Sequence, residues 1–221
     1  MDLDVQTDIL EANDAVAAEN RRRFDAAGLL VINLMSSPGS GKTTLLEKMA
    51  AALAGQLRIG VIEGDIATSR DADRLTAVGV PAVQISTGSS CHLNADMISN
   101  ALSSLDLNAL DVLFVENVGN LVCPAEFEIG EHYKVTLLST TEGDEKPLKY
   151  PAMFHVCSAM VVNKLDLMPY TNFNLNEATA NALSINPRLA VFPLSCTTGE
   201  GLDAWISWVT SRLDETRKRQ K

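Results

Sequence analysis

Aromatic and basic residues are scarce in this sequence of 221 residues. Phe, Trp and Tyr make up 5% of the chain, and 28 Asp and Glu residues outnumber 18 Lys and Arg residues, which gives a formal net charge of −10. A protein that binds nucleic acid through the phosphate backbone needs a basic face. We therefore expect no nucleic-acid partner.

Long apolar runs are also missing. The longest, around residues 28–35, is far shorter than the roughly 20 residues that a membrane-spanning helix needs. The first residues, Met1-Asp2-Leu3-Asp4, are acidic and lack the pattern of a signal peptide. We expect a cytoplasmic protein with no membrane partner, in which the few cysteines are reduced thiols. These cysteines are Cys91, Cys123, Cys157 and Cys196.

The most informative segment that is present is Ser36–Thr44, which reads Ser-Ser-Pro-Gly-Ser-Gly-Lys-Thr-Thr. The apolar run before it predicts a buried strand, and Leu45–Leu53 after it predicts a helix. Small residues let backbone N–H groups surround a phosphate, and a helix N-terminus attracts the same anion. The segment therefore predicts a phosphate-binding loop, in which Ser36 replaces the usual first glycine.

Two side chains of this loop have predicted chemical roles. We expect Lys42 to neutralise the β- and γ-phosphates and the Thr43 hydroxyl to bind Mg²⁺. The other predicted nucleotide contacts in the loop are Ser37, Pro38, Gly39, Ser40, Gly41 and Thr44.

Strands and helices alternate along the rest of the chain. Six further apolar runs predict strands near residues 58–62, 82–85, 112–115, 135–139, 160–162 and 189–194. Continuous apolar runs are typical of a parallel sheet that is covered on both faces. The sequence therefore predicts a single α/β domain over residues 1–221, of the P-loop NTPase class. We expect a mostly parallel sheet with helices on both faces, an N-terminal helix within residues 1–27, and a basic tail at residues 213–221.

A second nucleotide motif, Asn163-Lys164-Leu165-Asp166, follows one of these strands. Asp166 would accept hydrogen bonds from N1–H and the 2-amino group of guanine, and adenine offers neither donor. An unmet hydrogen bond to a charged group costs roughly 1–3 kcal/mol, so the motif favours GTP over ATP. We expect Lys164 to lie over the base. We expect Ser195-Cys196 to lie where many GTPases present a backbone N–H to guanine O6.

Acidic residues end two predicted strands at the edge where such sheets bind ligands. Asp65 and Glu116 are predicted to hold Mg²⁺, directly or through water, and to help place the attacking water. Asp65 has a second interpretation as a turn residue. Gly119 could let its backbone N–H reach a γ-phosphate. With Lys42, these three residues form the predicted catalytic set.

Cysteine and histidine suggest a second metal. Cys91 and His92 are adjacent, and Cys123 closely follows the segment that contains Glu116. Thiolates and imidazole suit Ni²⁺ or Zn²⁺, but a cysteine outside a disulfide is often a small core residue. The spacing alone leaves both interpretations open.

The segments that carry this chemistry are Ser36–Thr44, Glu63–Asp65, Gly88–Leu93, Glu116–Pro124 and Asn163–Asp166. Together they resemble the hydrogenase nickel-incorporation GTPases, the HypB family, and the resemblance covers the chain from about Val31 onward. It implies a metal-binding GTPase of low intrinsic rate, which uses GTP binding and hydrolysis to control nickel delivery during maturation of nickel–iron hydrogenase.

The resemblance also implies cofactors and partners. The cofactors are GTP or GDP and Mg²⁺, with nickel or zinc bound by Cys91, His92 and Cys123 near a dimer interface. The partners are a second copy of the chain, in a GTP-dependent homodimer, the nickel-binding accessory protein HypA and the hydrogenase large subunit. Some members carry an N-terminal Cys-rich motif or a His-rich tract. The first cysteine here is Cys91, so we expect neither a high-affinity N-terminal nickel site nor nickel storage.

Two other functions and one other residue role stay open. The chain could be a urease-type nickel accessory GTPase, although the usual Cys-Pro-His motif of that family is Cys123-Pro124-Ala125 here. It could also be a metal-binding module in which the nucleotide is structural. Lys146 or Lys149 either reaches a nucleotide across a dimer or lies in a solvated loop.

Overall fold

A computed structural model describes residues 5–65 and 70–219 of the chain. The strands in these residues are β1 (Leu30–Ser36), β2 (Ile59–Asp65), β3 (Ala82–Ser86), β4 (Val112–Glu116), β5 (Tyr133–Ser139), β6 (Ala159–Asn163) and β7 (Ala190–Pro193). The α-helices are α1 (Val5–Ala26), α2 (Lys42–Ala52), α3 (Arg70–Ala77), α4 (Ala95–Ala101), α5 (Cys123–Glu126), α6 (Lys146–Lys149), α7 (Pro151–Val156), α8 (Leu175–Ile185) and α9 (Leu202–Arg219). Short 3-10 helices cover Leu102–Ser104, Leu107–Ala109 and Leu165–Tyr170.

The strands form one sheet in the order β3-β2-β4-β1-β5-β6-β7, and every described pairing is parallel. All carboxyl ends therefore meet at one edge, and β1 lies in the middle of the sheet. This arrangement confirms the predicted α/β fold with helices on both faces and a preceding N-terminal helix. Residues 1–4, at the start of the predicted helix, lie outside the described part of the chain.

One face of the sheet is covered by α2, α3 and α9. Alternate residues of β1, Leu30, Ile32 and Leu34, belong to the same buried cluster as Met49 of α2 and Trp205 of α9. The indole Nε1 of Trp205 donates to Met49 Sδ at 2.8 Å. The strict alternation explains why a strand buried on both faces appears in the sequence as a nearly continuous apolar run, which Asn33 alone interrupts between Leu30 and Met35.

The opposite face is covered by two groups of helices. Phe24 of α1 and Ile98 of α4 pack on Val31 and neighbouring residues of β2 and β4. Farther along the sheet, α5, α7 and α8 cover β5 and β6, where Phe154 packs on Met160. Within the described residues, no helix is both long and apolar enough to span a bilayer.

The predicted basic tail at residues 213–221 is wrong over most of its length, because α9 continues to Arg219. Leu213 and Thr216 are buried, and Arg217 forms an ion pair with Asp111. The many charges near the terminus hid an apolar spacing of three to four residues that continues the buried face of the helix. Residues 220 and 221 lie outside the described part.

Candidate nucleotide and metal site

The phosphate-binding loop joins β1 to α2 at the carboxyl edge of the sheet. Gly41 has a φ of +99°, and a Cβ atom there would lie 2.5 Å from Asn163 Nδ2. Only glycine fits this position without displacing Asn163. The same Asn163 Nδ2 donates to Ser40 O at 2.9 Å. The asparagine of the guanine motif therefore supports the loop from the end of β6.

The predicted phosphate and cation ligands of the loop lie at the buried floor of the site. Lys42 Nζ donates to Ser36 Oγ at 3.0 Å, and Thr43 Oγ1 donates to Glu116 Oε1 at 2.9 Å. The serine at the position of the usual first glycine thus gives the lysine a hydroxyl acceptor.

A cavity of about 510 Å³ opens above these residues, and its floor is acidic. Glu63, Asp65 and Asp71 each offer an oxygen atom, and these atoms lie within 4.8 Å of one another. Glu63 is 2% exposed and Glu116 is 4% exposed. In each of these two, the Oε2 atom accepts no hydrogen bond from the described residues.

The electrostatics of this floor favour a bound cation. Burial, followed by the charges of Glu116 and Asp65, raises the pKa of Glu63 to about 8. Burial also raises the pKa of Glu116 to about 7, although Lys42 and the hydrogen bond from Thr43 act in the opposite direction. A hard divalent cation takes oxygen ligands and would neutralise this repulsion. Glu63, Asp65 and Asp71, whose oxygen atoms come together, could therefore hold Mg²⁺, and Thr43 and Glu116 line the same cavity.

The guanine motif and the segment after β7 lie side by side. Asn163 Oδ1 accepts from the backbone N–H of Lys164 at 2.7 Å and from that of Cys196 at 3.1 Å. The carboxylate of Asp166 accepts a hydrogen bond from the hydroxyl of Ser195. These bonds fix the orientation of the carboxylate that is predicted to read guanine.

Cys196 and Lys164 contribute different parts of their structure to this region. The thiol of Cys196 belongs to the buried core, and burial raises its pKa to about 11. Its backbone N–H donates to Asn163 Oδ1, so this group would have to be shared with or released by Asn163 to contact guanine O6. Lys164 Nζ donates to Gly39 O at 2.7 Å, so its side chain lies across the loop.

The segment after β4 contacts both the phosphate-binding loop and the cysteine segment. Gly119 lies directly against Pro38. Asn117 Oδ1 accepts from the backbone N–H of Val118 at 3.0 Å and from that of Leu93 at 3.1 Å. One buried amide thus holds together the residue before Gly119 and the residue after His92.

The predicted cysteine and histidine ligands also come together. Ligand atoms of Cys91, His92 and Cys123 lie within 4.8 Å of one another, and the two sulfur atoms are 3.0 Å apart. The ring of Phe127 stacks on His92 at 3.9 Å between centroids, and Asn120 Nδ2 donates to Cys91 O at 3.1 Å. The hydrogen bond to Cys123 raises the pKa of the Cys91 thiol, and burial lowers the pKa of His92. A neutral imidazole with two sulfur donors suits Ni²⁺ or Zn²⁺.

The two candidate lysines differ in their surroundings. Lys146 Nζ lies 3.4 Å from Ser37 Oγ and 5.2 Å from the centroid of the Tyr150 ring. Lys149 forms an exposed ion pair with Glu145. Lys146 therefore contacts the phosphate-binding loop of its own chain, and Lys149 lies at the surface.

Residues 30–193 match the family model described as CobW/HypB/UreG, nucleotide-binding domain. The hydrogenase maturation factor HypB of Escherichia coli strain K12 is 50% identical over 210 residues, which cover 95% of this chain and 72% of that protein. The chain belongs to the HypB family. The family predicted from the sequence is confirmed, and the function predicted with it, nickel-binding GTPase of hydrogenase maturation, is that of the family.

Two further HypB proteins extend the comparison. The crystal structure of HypB from Helicobacter pylori in complex with nickel has a TM-score of 0.89 and 40% sequence identity, and the match covers 93% of this chain and 97% of that one. The hydrogenase/urease maturation factor HypB of Helicobacter hepaticus is 47% identical over 194 residues, which cover 86% of this chain and 79% of that protein.

Glu63 and the buried Asn13, Asn20 and Asn117 had no role predicted from the sequence. Glu63 occurs as a charged residue inside an apolar strand, two positions before Asp65, so alternation along β2 could have placed both carboxylates on one side. Asn117 had a similar signal, because it follows Glu116 at the end of a buried strand. Its partners lie on other elements, and no local pattern reveals them.

Proposed function

We propose that this HypB-family chain hydrolyses GTP and uses the nucleotide state to control nickel delivery during maturation of nickel–iron hydrogenase. The observation that carries this proposal is the segment from Glu116 to Cys123. It begins with a carboxylate at the nucleotide site, passes Gly119 at the phosphate-binding loop, and ends with a thiol at the Cys91–His92 site.

The nucleotide roles follow from the geometry of the carboxyl edge. The loop from Ser37 to Thr44 would surround the phosphates, with Lys42 as the cation, and Asn163, Asp166 and the Ser195-Cys196 backbone would hold the base. Mg²⁺ bound by Thr43, Asp65 and Glu116 would neutralise charge that develops on the transferred phosphoryl group.

The coupling between nucleotide and metal would act through Gly119 and Cys123. If the N–H of Gly119 turns toward a γ-phosphate, Val118 and Cys123 must move with it. Asn117 would transmit this motion to Leu93, because it bonds to Val118 and Leu93 at once. A ligand that moves with nucleotide state changes metal affinity, and linkage requires the reverse effect on nucleotide binding.

Nickel is the cargo in this proposal, and Cys91, His92 and Cys123 are its ligands. The Helicobacter pylori relative was crystallised with nickel, and the donor set supports nickel or zinc. We propose that the chain works in the cytoplasm as a GTP-dependent homodimer. It would receive nickel with HypA and pass it to the hydrogenase large subunit.

Urease maturation is a second candidate function. The Helicobacter hepaticus relative is described as a hydrogenase/urease maturation factor. Deletion of the gene followed by separate urease and hydrogenase assays distinguishes the two. Loss of hydrogenase activity alone supports the first proposal, and loss of both activities extends the function to urease.

Nickel titration tests the central proposal. The protein would be loaded first with GDP and then with a non-hydrolysable GTP analogue, and Cys123→Ala would be measured beside it. We expect nickel affinity or stoichiometry to differ between the two nucleotides, and this difference to disappear in Cys123→Ala. Cys157→Ala is the matched control, since that thiol is buried and is not one of the ligand atoms that come together with Cys91 and His92. Identical nickel binding in both states would mean that GTP controls only assembly with partners.

Phosphate release tests the enzymatic part. A purified protein that binds GTP and releases phosphate slowly is expected. A protein that binds GTP and never releases phosphate would instead support a metal-binding module with a structural nucleotide.

A further inference from the structure

Helix α1 buries two asparagines against the sheet. Asn13, Ala17, Asn20 and Phe24 recur at helical spacing and are all buried. A buried amide must find hydrogen-bond partners, because an unmet polar group in the core is costly. Phe24 packs in the apolar cluster beside β1. Both amide groups of Asn13 and the Nδ2 group of Asn20 bond to the backbone of α4 and of the loop after α5, whereas Asn20 Oδ1 accepts no hydrogen bond from the described residues.

Both asparagines contact the same residue of α4, which is Ala95. Asn13 Oδ1 accepts from Ala95 N at 2.9 Å, and Asn20 Nδ2 donates to Ala95 O at 2.8 Å. Each asparagine also reaches the loop after α5. Asn13 Nδ2 donates to Glu128 O at 2.8 Å, and Asn20 Nδ2 donates to Ile129 O at 3.3 Å.

These contacts connect the two segments that carry the metal ligands. Ala95 follows His92 by three positions, and Glu128 follows Cys123 by five. Phe127, which stacks on His92, is the residue immediately before Glu128. Each asparagine of α1 thus holds the end of the Cys91–His92 segment against the end of the Cys123 segment.

The loop after α5 is fitted closely to α1. A Cβ atom on Gly130 would lie 2.7 Å from Ala17 O and 2.9 Å from Arg21 N. Arg21 Nη1 donates to Glu131 O at 3.2 Å. The backbone of the loop therefore packs directly on the backbone of α1. This close fit fixes which loop residue lies against which helix residue.

From these contacts we infer that Asn13 and Asn20 are positioning residues for the Cys91–His92–Cys123 metal site. The inference rests on the proposed metal-binding function. It adds that the docking of α1 regulates the metal affinity of the site. A site whose ligands come from two segments binds metal tightly only when the segments are held at the right separation. Detachment of α1 from the sheet weakens metal binding, and by linkage bound metal strengthens the docking of α1. This effect of α1 is separate from the nucleotide state, because no α1 residue that the structure describes lines the nucleotide cavity.

Nickel affinity of asparagine variants tests the inference. Asn13→Ala, Asn20→Ala and the double variant would be loaded with GDP and titrated with Ni²⁺ against a competing chelator. We expect the double variant to lose about tenfold or more in nickel affinity, the range typical for residues that orient metal ligands. We expect GDP affinity to stay within about twofold of the wild type. In free energy of binding, this limit corresponds to about 0.4 kcal/mol.

Asn186→Ala is the matched control. Its amide also bridges backbone carbonyls, those of Phe154, His155 and Cys157, but on the other half of the sheet. We expect it to lower the melting temperature and leave nickel affinity unchanged. A double variant of α1 that is folded and binds nickel like the Asn186→Ala protein would overturn the inference.

Hydrogen exchange of the wild-type protein provides a test that needs no variant. Addition of Ni²⁺ to the GDP-bound protein is expected to slow exchange in α1, although α1 carries no proposed ligand. Unchanged exchange in α1, with slowed exchange around Cys91 and Cys123, would overturn the inference while leaving the metal site in place.

If Cys91→Ala binds nickel like the wild type, the metal site itself is wrong, and the proposed function fails at that point.

Discussion

Gly119 packs against Pro38 so closely that a Cβ atom on Gly119 would lie 2.8 Å from Pro38 Cγ and 3.0 Å from Pro38 N. Any side chain at this position must displace either the phosphate-binding loop or the segment that leads to Cys123. The contact gives a structural reason for glycine here and defines where the two functional segments meet.

Gly119→Ala is therefore expected to slow GTP hydrolysis more than it weakens nucleotide binding. We expect kcat to fall by about tenfold or more, since small misplacements of a site reduce rates strongly, whereas GDP affinity changes little. Phosphate release at saturating GTP and binding of a fluorescent GDP measure the two quantities. Gly55→Ala, at a glycine with no neighbour within 4 Å, is the control for a glycine substitution outside the site. Equal turnover in Gly119→Ala and the wild type would contradict this expectation.

Glu63 predicts a pH dependence of stability in the protein free of nucleotide and metal. Its folded pKa of about 8 lies above the usual value of about 4.3. The group therefore contributes stability below the unfolded pKa, and this contribution is lost as the pH rises toward 8. Glu63→Gln mimics the protonated form. We expect the variant to exceed the wild type in free energy of unfolding at pH 8, and the difference to narrow at pH 5.5.

Urea denaturation in the presence of a chelator measures this difference. Glu200→Gln, which changes an exposed carboxylate, is the control and should show no such trend. If the wild type and Glu63→Gln keep a constant difference between the two pH values, Glu63 does not titrate in this range.

The sequence predicted the parts of the site whose chemistry is local. The phosphate-binding loop needs only its own residues, a strand before it and a helix after it, so Ser36–Thr44 indicated the loop and its position. The inner strands were predicted because they are buried on both faces and therefore appear as apolar runs, whereas the edge strands β3 and β7 are only partly buried. The metal ligands needed more information, since Cys91 follows β3, Cys123 follows β4, and the two come together only through the sheet order β3-β2-β4.

The features that sequence reasoning missed depend on tertiary contacts. Asn13 and Asn20 look like ordinary polar residues of an exposed helix until the loop after α5 and the start of α4 are placed against them. The wrong prediction of a tail at the C-terminus has a local cause. The charges at residues 217–219 suggested a tail, although buried residues that include Leu213 and Thr216 recur at helical spacing.

Asp166→Asn is expected to change base specificity. The wild-type carboxylate accepts from two guanine donors, whereas an amide offers one acceptor and one donor. Xanthine replaces the 2-amino donor of guanine with a carbonyl acceptor, so it matches the amide. We expect GDP affinity to fall by about 100-fold and xanthosine diphosphate affinity to rise. Competition binding with both nucleotides measures the change, and Asp203→Asn, at an exposed position, is the control. Unaltered preference for GDP would place the base elsewhere.

Arg217 and Asp111 lead to a final prediction about the end of α9. Asp111 accepts hydrogen bonds from both Arg58 and Arg217, and the bond from Arg58 is the main reason why its pKa is lowered to about 2. These residues lie at the amino edge of the sheet, far from the nucleotide cavity. Loss of Arg217 leaves Asp111 with one partner, so Arg217→Ala should cost about 1 kcal/mol, or roughly 2–4 °C in melting temperature for a chain of this size.

Lys218→Ala is the matched control, since Lys218 is the next residue and is exposed. GTP hydrolysis should be the same in both variants, because neither residue reaches the carboxyl edge. A melting temperature of Arg217→Ala equal to that of Lys218→Ala would mean that the ion pair between Arg217 and Asp111 adds nothing measurable to stability. A selective decrease would instead show that the ion pair at Asp111 attaches the helix end to the strands β2 and β4, which also carry the acidic floor of the nucleotide site at their other ends.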